Sequence, residues 1–266
     1  AGVPLFLSLN HEGGIVVRIT EGVTEFPGPM ALAAAGRPEH AYTAGALSAI
    51  ELRAMGINMN LAPVLDVNDE AYNPVIGTRS FGEDPAVVAE YGRLMVRGMQ
   101  DSGVIAVAKH FPGHGGVDVD SHGALPVIDA PLEELLEQDL LPFEAAVAEG
   151  VGAIMTAHIA IPAVDPSGAP ATLSWEILTG LLRERLGYDG LIVTDSLGMA
   201  GASAGRGQPA AAVAAVKAGA DVLLSTTPMD AHIGILRALA EAVRSGELSE
   251  AQIDASVLRI LRAKHA

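Results

Sequence analysis

Fourteen consecutive residues, Lys109-His110-Phe111-Pro112-Gly113-His114-Gly115-Gly116-Val117-Asp118-Val119-Asp120-Ser121-His122, hold three histidines, two aspartates and a lysine. Three glycines and a proline make this stretch a loop rather than a helix. Histidine is the side chain whose ordinary pKa lies nearest neutrality, so it can both give and take a proton there. The bland alternative is a solvated polar loop. So many titratable groups directly behind an apolar run, Ile105–Ala108, favour proton-transfer chemistry instead.

Asp195 stands behind a second apolar run, Leu191-Ile192-Val193-Thr194. A carboxylate in that position must be exposed in a cleft, paired or hydrogen-bonded. A helix N-cap is an equal reading from the residue alone. Asn10-His11-Glu12-Gly13-Gly14, with Arg18 shortly after, follows a third apolar run. Arg79, in Asn73-Pro74-Val75-Ile76-Gly77-Thr78-Arg79-Ser80-Phe81-Gly82-Glu83-Asp84-Pro85, offers a fixed fork of donors for hydroxyls, carbonyls or carboxylates. Plainer readings hold elsewhere. His158 lines a pocket or is a satisfied structural histidine, His114 shapes its loop, and Asp66 leans structural. Trp175 is expected in the core, Asp118 in solvent, and His232 and His265 on the surface.

The elements that must position these groups alternate. Short apolar runs at Leu5–Leu9, Ile57–Leu61, Ile105–Ala108, Ala153–Thr156, Leu191–Thr194 and Val222–Leu224 read as six strands buried on both faces. Helical patterns lie at Glu39–Met55, Pro85–Ser102, Leu132–Gly150, Ser174–Leu186, Pro209–Ala218, Asp230–Ser245 and Ser249–Lys264. Asp84 with Pro85 predicts an N-cap, and Ser249-Glu250-Ala251-Gln252 a capping box. Strand–helix alternation predicts a parallel sheet, as a barrel or a doubly wound sheet. The polar residues follow the strands, where both folds place their chemistry. Ala200–Ala212, rich in Gly, Ala and Ser, reads as a loop, and no linker or second domain interrupts residues 1–266.

Composition narrows the class. The 266 residues carry a net charge of −16, which gives no basic face for nucleic acid. With no cysteine, neither disulfides nor thiolate metal sites are possible. No apolar run reaches the roughly 20 residues a membrane span needs, and no signal peptide is visible. A cytoplasmic location is favoured slightly over export, and the oligomeric state stays open. Neither cofactor nor metal is expected.

The motifs in order, N-H-E-G-G, then N-P-V-I-G-T-R-S-F-G-E-D-P, then K-H-F-P-G-H-G with D-S-H, then V-T-D-S-L-G-M, resemble glycoside hydrolase family 3. They are most similar to its bacterial β-N-acetylglucosaminidase branch. The resemblance runs from about Leu5 to the final helix. It implies a (β/α)8 TIM-type barrel, with the first β/α unit of the family absent ahead of Leu5. It implies a retaining double displacement in which Asp195 is the nucleophile, His122 the acid/base and Asp120 its partner. Asn10, Arg18, Arg79, Lys109 and His110 match residues that hold the sugar. The implied partner is an oligosaccharide with a terminal N-acetylglucosamine, from cell wall or chitin.

Asn10 stands where the family usually has aspartate, and an amide accepts hydrogen bonds without the charge that strengthens them. Three other readings compete. A phosphorylase would use phosphate in place of water, and a histidine acid/base repels that anion less than a carboxylate would. A metal-dependent barrel hydrolase would use the His and Asp cluster as ligands, but no H-x-H or H-E-x-x-H pair is present. A non-catalytic sugar-binding homologue is suggested by Asn10 and the abrupt start.

Overall fold

A computed structural model describes residues 2–203 and 205–265. The chain forms two compact units. One runs to Asp118 and includes Leu132–Met155; the other comprises Val119–Pro131 and the chain from Thr156 onward.

The first unit contains β1 (Ser8–Leu9), α1 (Pro29–Ala34), α2 (Glu39–Ala54), β2 (Met59–Asn60), a 3-10 turn at Gly77–Arg79, α3 (Pro85–Asp101), β3 (Ile105–Phe111), α4 (Leu132–Glu137), α5 (Leu141–Ala148) and β4 (Ala153–Thr156). The strands lie in the order β1-β2-β3-β4, and β1–β2 and β2–β3 pair in parallel. Helices α2 and α3 approach each other at glycines. A Cβ on Gly45 would lie 2.6 Å from Met95 O, and one on Gly98 2.2 Å from Tyr42 O. Asp84 caps α3 by accepting from Ala86 N at 2.9 Å, with Pro85 in the first turn, as the sequence predicts.

Four expectations change in this unit. The strand expected at Ile57–Leu61 narrows to Met59–Asn60, and β3 runs beyond Ala108 to Phe111, so Lys109, His110 and Phe111 belong to the strand rather than to the loop. Leu5–Leu9 narrows to Ser8–Leu9 because the Asn58 side chain takes the place of a partner strand: Leu7 N donates to its Oδ1 and its Nδ2 donates to Leu5 O. Leu5 is 72% exposed, so this run is not buried on both faces. The single helix expected over Leu132–Gly150 breaks after Glu137 and restarts at Leu141. Pro142 explains the break, since its ring clashes with the carbonyl four residues earlier and suits a first helical turn.

The second unit contains a 3-10 turn at Ala171–Leu173, a π-helix at Glu176–Arg185, β5 (Leu191–Val193), α6 (Ala200–Ser203), α7 (Gln208–Ala218), α8 (Met229–Arg244) and α9 (Glu250–His265). Leu197, Ala202, Ala212 and Ile235 form one of its buried clusters. The expected sixth strand, Val222–Leu224, is absent among the described residues. Val222 makes one parallel bridge to Val193, with Val222 N donating to Ile192 O and Thr194 N to Val222 O; Leu224 N then donates to the Thr194 hydroxyl, so a side chain ends the ladder after one bridge. The expected loop Ala200–Ala212 instead contains α6 and the start of α7, with residue 204 outside the described residues. Half of the capping box at α9 forms: Gln252 N donates to Ser249 Oγ, while the Gln252 side chain donates to Val216 O.

Candidate functional site

In the first unit the candidate residues gather around Glu12, a carboxylate that the N-H-E-G-G motif contains but does not by itself single out. Arg79 Nε and Nη2 each reach a Glu12 oxygen at 2.8 Å, a bidentate fork. Lys109 Nζ lies 2.6 Å from Glu12 Oε1 and donates to Asn10 Oδ1 at 2.6 Å. Glu12 and Lys109 are almost fully buried. Burial raises the Glu12 pKa, but the Lys109 ammonium and the Arg79 guanidinium outweigh it and lower the carboxyl to about 2. Asn10, Arg79 and Lys109 thus share one charged cluster, each on a different element: the end of β1, the 3-10 turn and β3. The Arg18 guanidinium stays exposed and donates to Val17 O. Its contribution is through the backbone, where Arg18 N donates to the buried His11 Nδ1.

Asp66 anchors the loop behind β3. Fully buried, it accepts from His110 N at 3.0 Å and His114 N at 2.9 Å, and lies 2.7 Å from His110 Nδ1. Burial pushes its pKa up, while His110, His114 and these bonds pull it below the usual value. With Nδ1 of His110 held by Asp66, Nε2 is the nitrogen that can serve a ligand. His114 packs its ring edge against that of His110 at 6.0 Å, consistent with a loop-shaping role. Gly115 is required for this fold of the loop, since a Cβ there would lie 1.7 Å from Val67 O. Asp66 therefore is structural, as the sequence suggests, and acts by holding His110 and the loop behind β3.

Asp139 has no counterpart among the candidates that the sequence motifs nominate. It lies in the break between α4 and α5 and sets its carboxyl against Gly113, where a Cβ would lie 2.5 Å from Oδ1. Burial, followed by the nearby carboxylates Asp69 and Asp66, pushes its pKa up to about 7. A carboxyl whose folded pKa is raised contributes stability below its ordinary value of 3.8, and that contribution is lost as pH rises through about 7. Asp139→Asn, which keeps the shape without the charge, is therefore expected to raise the melting temperature by a few degrees at pH 8 and by little at pH 5. Equal shifts at both pH values would contradict a protonated Asp139.

The second unit holds the remaining candidates. His122 Nδ1 lies 2.7 Å from Asp120 Oδ1, which also accepts from His122 N at 2.8 Å. The pair is open to solvent, with side-chain exposures of 64% for His122 and 49% for Asp120. Ala200 N donates to His122 O and Gly201 N to Ser121 O, so the start of α6 seats this loop. A Cβ on Gly201 would come within 3.0 Å of Ser121 O and Ala124 O, which explains the small residue. Asp195 follows β5, half-buried, and accepts from Ser196 N at 2.7 Å. The next helix begins only at Ala200, so Asp195 is not its N-cap.

His158 resolves toward structure. Its Nδ1 lies 2.9 Å from Thr172 Oγ1, and its Nε2 donates to Ser196 O at 3.0 Å. It thereby fixes the peptide next to Asp195. Trp175, expected in the core, is instead 50% exposed, at the residue just before the π-helix. His232, expected on the surface, has its Nε2 buried without a hydrogen-bond partner. Asp118 and His265 are exposed. Among the described residues, no group of three His, Asp or Glu converges in a metal-binding arrangement, and no helix is long and apolar enough to cross a membrane.

An α/β chain with parallel strands, a carboxylate behind one strand and a histidine–aspartate pair on a glycine-rich loop has the parts of a barrel-type glycosidase. The family model described as "Glycosyl hydrolase family 3 N terminal domain" matches residues 1–263. The chain belongs to glycosyl hydrolase family 3, and its fold is the TIM-barrel-like α/β fold of that domain. It is 51% identical, with a TM-score of 0.97, to a family 3 β-N-acetylglucosaminidase from Paenibacillus sp. str. FPU-7, over 99% of this chain and 50% of that one. It is 41% identical to "Beta-hexosaminidase A" of Pseudoalteromonas piscicida, over 98% of this chain and 47% of the relative. It is 44% identical to "Beta-hexosaminidase" of Methylococcus capsulatus, over 88% of this chain and 70% of the relative. The chain thus spans about half the length of the first two.

Proposed function

We propose that this chain carries the catalytic residues of a retaining exo-β-N-acetylglucosaminidase. The observation that supports it most is the His122–Asp120 pair: Nδ1 is held by a carboxylate at 2.7 Å and the ring is largely exposed. With Nδ1–H donated to Asp120, Nε2 is the nitrogen that exchanges a proton with substrate, and Asp120 stabilises the imidazolium as the buried Asp of a Ser-His-Asp triad does. In the first step Asp195 attacks the anomeric carbon while imidazolium Nε2 protonates the departing glycosidic oxygen. In the second, neutral Nε2 takes a proton from water, whose oxygen displaces Asp195 from that carbon. Arg79, Lys109 and His110 hold sugar hydroxyls. The relatives named β-hexosaminidase and β-N-acetylglucosaminidase favour an N-acetylated sugar at the reacting position.

The test is release of 4-nitrophenol from the N-acetyl-β-D-glucosaminide and from the matching β-glucoside. Release from the N-acetylated substrate alone is expected, and release from neither would favour the non-catalytic reading. The same assay in phosphate buffer separates hydrolysis from phosphorolysis, since sugar 1-phosphate appears only in the latter. His122→Ala carries a further expectation. General acid catalysis contributes on the order of 10²–10⁴-fold, and a good leaving group needs little of it. The variant should lose most of its rate on a natural disaccharide and far less on the nitrophenyl substrate. Equal losses on both would remove His122 from the acid role.

A further inference from the structure

The chain has one tryptophan, and the reaction proposed above does not use it. Trp175 borders an open cleft of about 360 Å³ within the second unit, between the π-helix, the end of α7 and α9. That volume falls in the range of about 300–1,000 Å³ that holds small ligands. The floor is built from Asp221, whose side chain is almost fully buried. It is ion-paired with Arg183 and Arg259 and accepts from Ser256 Oγ. Asp189 also pairs with Arg259 at 3.2 Å, so two carboxylates answer two guanidiniums and the floor selects neither an anion nor a cation. The walls add Glu184, Lys217 and Gln252. Gln252 spends its amide nitrogen on Val216 O, which fixes the side chain in place.

The Trp175 indole is half-exposed and offers apolar surface to this cleft. Beside it lie acceptors and donors of both kinds. A ligand that answers both is flat and apolar on one side and rich in hydroxyl and amide groups around its edge. A pyranose ring with an acetamido group has that chemistry. A nucleotide or a lipid headgroup would bring a phosphate to a floor whose arginines are already paired.

We propose that this cleft is a second saccharide site, in which Trp175 stacks on a non-reacting residue of a β-linked N-acetylglucosamine polymer. The choice of polymer rests on the function proposed above; the site itself shares no residue with Asp195, His122, Asp120, Arg79 or Lys109. It would tether a polymer to the protein independently of turnover.

Because position 175 is the only tryptophan, its emission reports this cleft alone. The experiment titrates chitohexaose into the Asp195→Ala protein, which removes turnover, and follows tryptophan fluorescence. A saturable change that persists in the His122→Ala and Lys109→Ala proteins is expected. Trp175→Ala should reduce retention on insoluble chitin by roughly tenfold while leaving nitrophenyl-substrate hydrolysis unchanged, and Trp175→Phe should restore part of the retention. No emission change at millimolar hexasaccharide, or chitin retention in Trp175→Ala equal to that of the parent, would overturn the site. A saturable emission change, together with a parent protein (Asp195 intact) that cleaves no N-acetylglucosaminide, would instead sink the catalytic reading and leave the site standing.

Discussion

Asp195→Ala is expected to abolish turnover, with kcat on the nitrophenyl substrate falling on the order of 10⁴-fold, about 5 kcal/mol of lost transition-state stabilisation. The reason lies in chemistry rather than in the fold. No other carboxylate of the candidate site is available to form the covalent glycosyl intermediate, because Glu12 is committed to Arg79 and Lys109 and Asp120 to His122. The fold should survive. Asp195 is half-buried and accepts a hydrogen bond from its neighbour Ser196 N. Losing such a bond costs about 1 kcal/mol, and the adjoining peptide keeps its second support, His158 Nε2 donating to Ser196 O. Azide supplies a positive readout. A small anion that fits where the carboxylate was can attack the anomeric carbon from that side and remain bonded, giving an α-glycosyl azide. Melting close to the parent with no hydrolysis, and rescue by azide, identify a nucleophile. A variant that hydrolyses at more than a few per cent of the parent rate would end that assignment.

Asp195, Lys109 and Asn10 are legible in the sequence because each lies directly behind an apolar run. Ala153–Thr156 has the bounds expected of it, and β5 is one residue shorter than the run that predicts it. What the sequence does not reveal has a common physical form: side chains that replace backbone partners. Asn58 bonds the Leu5–Leu7 backbone, and Thr194 Oγ1 takes the Leu224 amide, so two apolar runs that look like full strands keep only short ladders, at Ser8–Leu9 and at Val222. Periodicity cannot register a bond made by a side chain from a distant segment. The same limit hides Glu12. It is visible in N-H-E-G-G, but nothing local says that Arg79, 67 residues on, closes a bidentate fork around it. Asp139 is hidden differently. Its neighbours Asp66 and Asp69 lie far back in the chain, and only the helix break that Pro142 signals points toward it.

Glu12→Gln tests the cluster that local sequence patterns do not disclose, and it should destabilise the fold more than Asp195→Ala, His122→Ala or Asp139→Asn. The amide keeps the shape of the side chain but removes the negative charge with which both Arg79 and Lys109 are ion-paired. Removing one member of a buried ion pair typically costs about 3–5 kcal/mol, because the remaining charge is left uncompensated. For a chain of this size that corresponds to a fall of roughly 10 °C in melting temperature. The pH dependence separates this cause from mere loss of packing. Glu12 has its pKa lowered from an ordinary 4.5 to about 2, so the stability it contributes is fully present above 4.5 and is lost as pH falls toward 2. The glutamine variant has nothing there to titrate. The gap in melting temperature between parent and variant should therefore be widest near pH 6 and narrow steadily below pH 4.5. A gap that stays constant down to pH 3 would mean that Glu12 holds the fold by shape alone. A kinetic expectation follows from the same geometry: Lys109 Nζ loses its Glu12 partner, so, if it holds the sugar as proposed, KM rises while Asp195 and His122 are untouched.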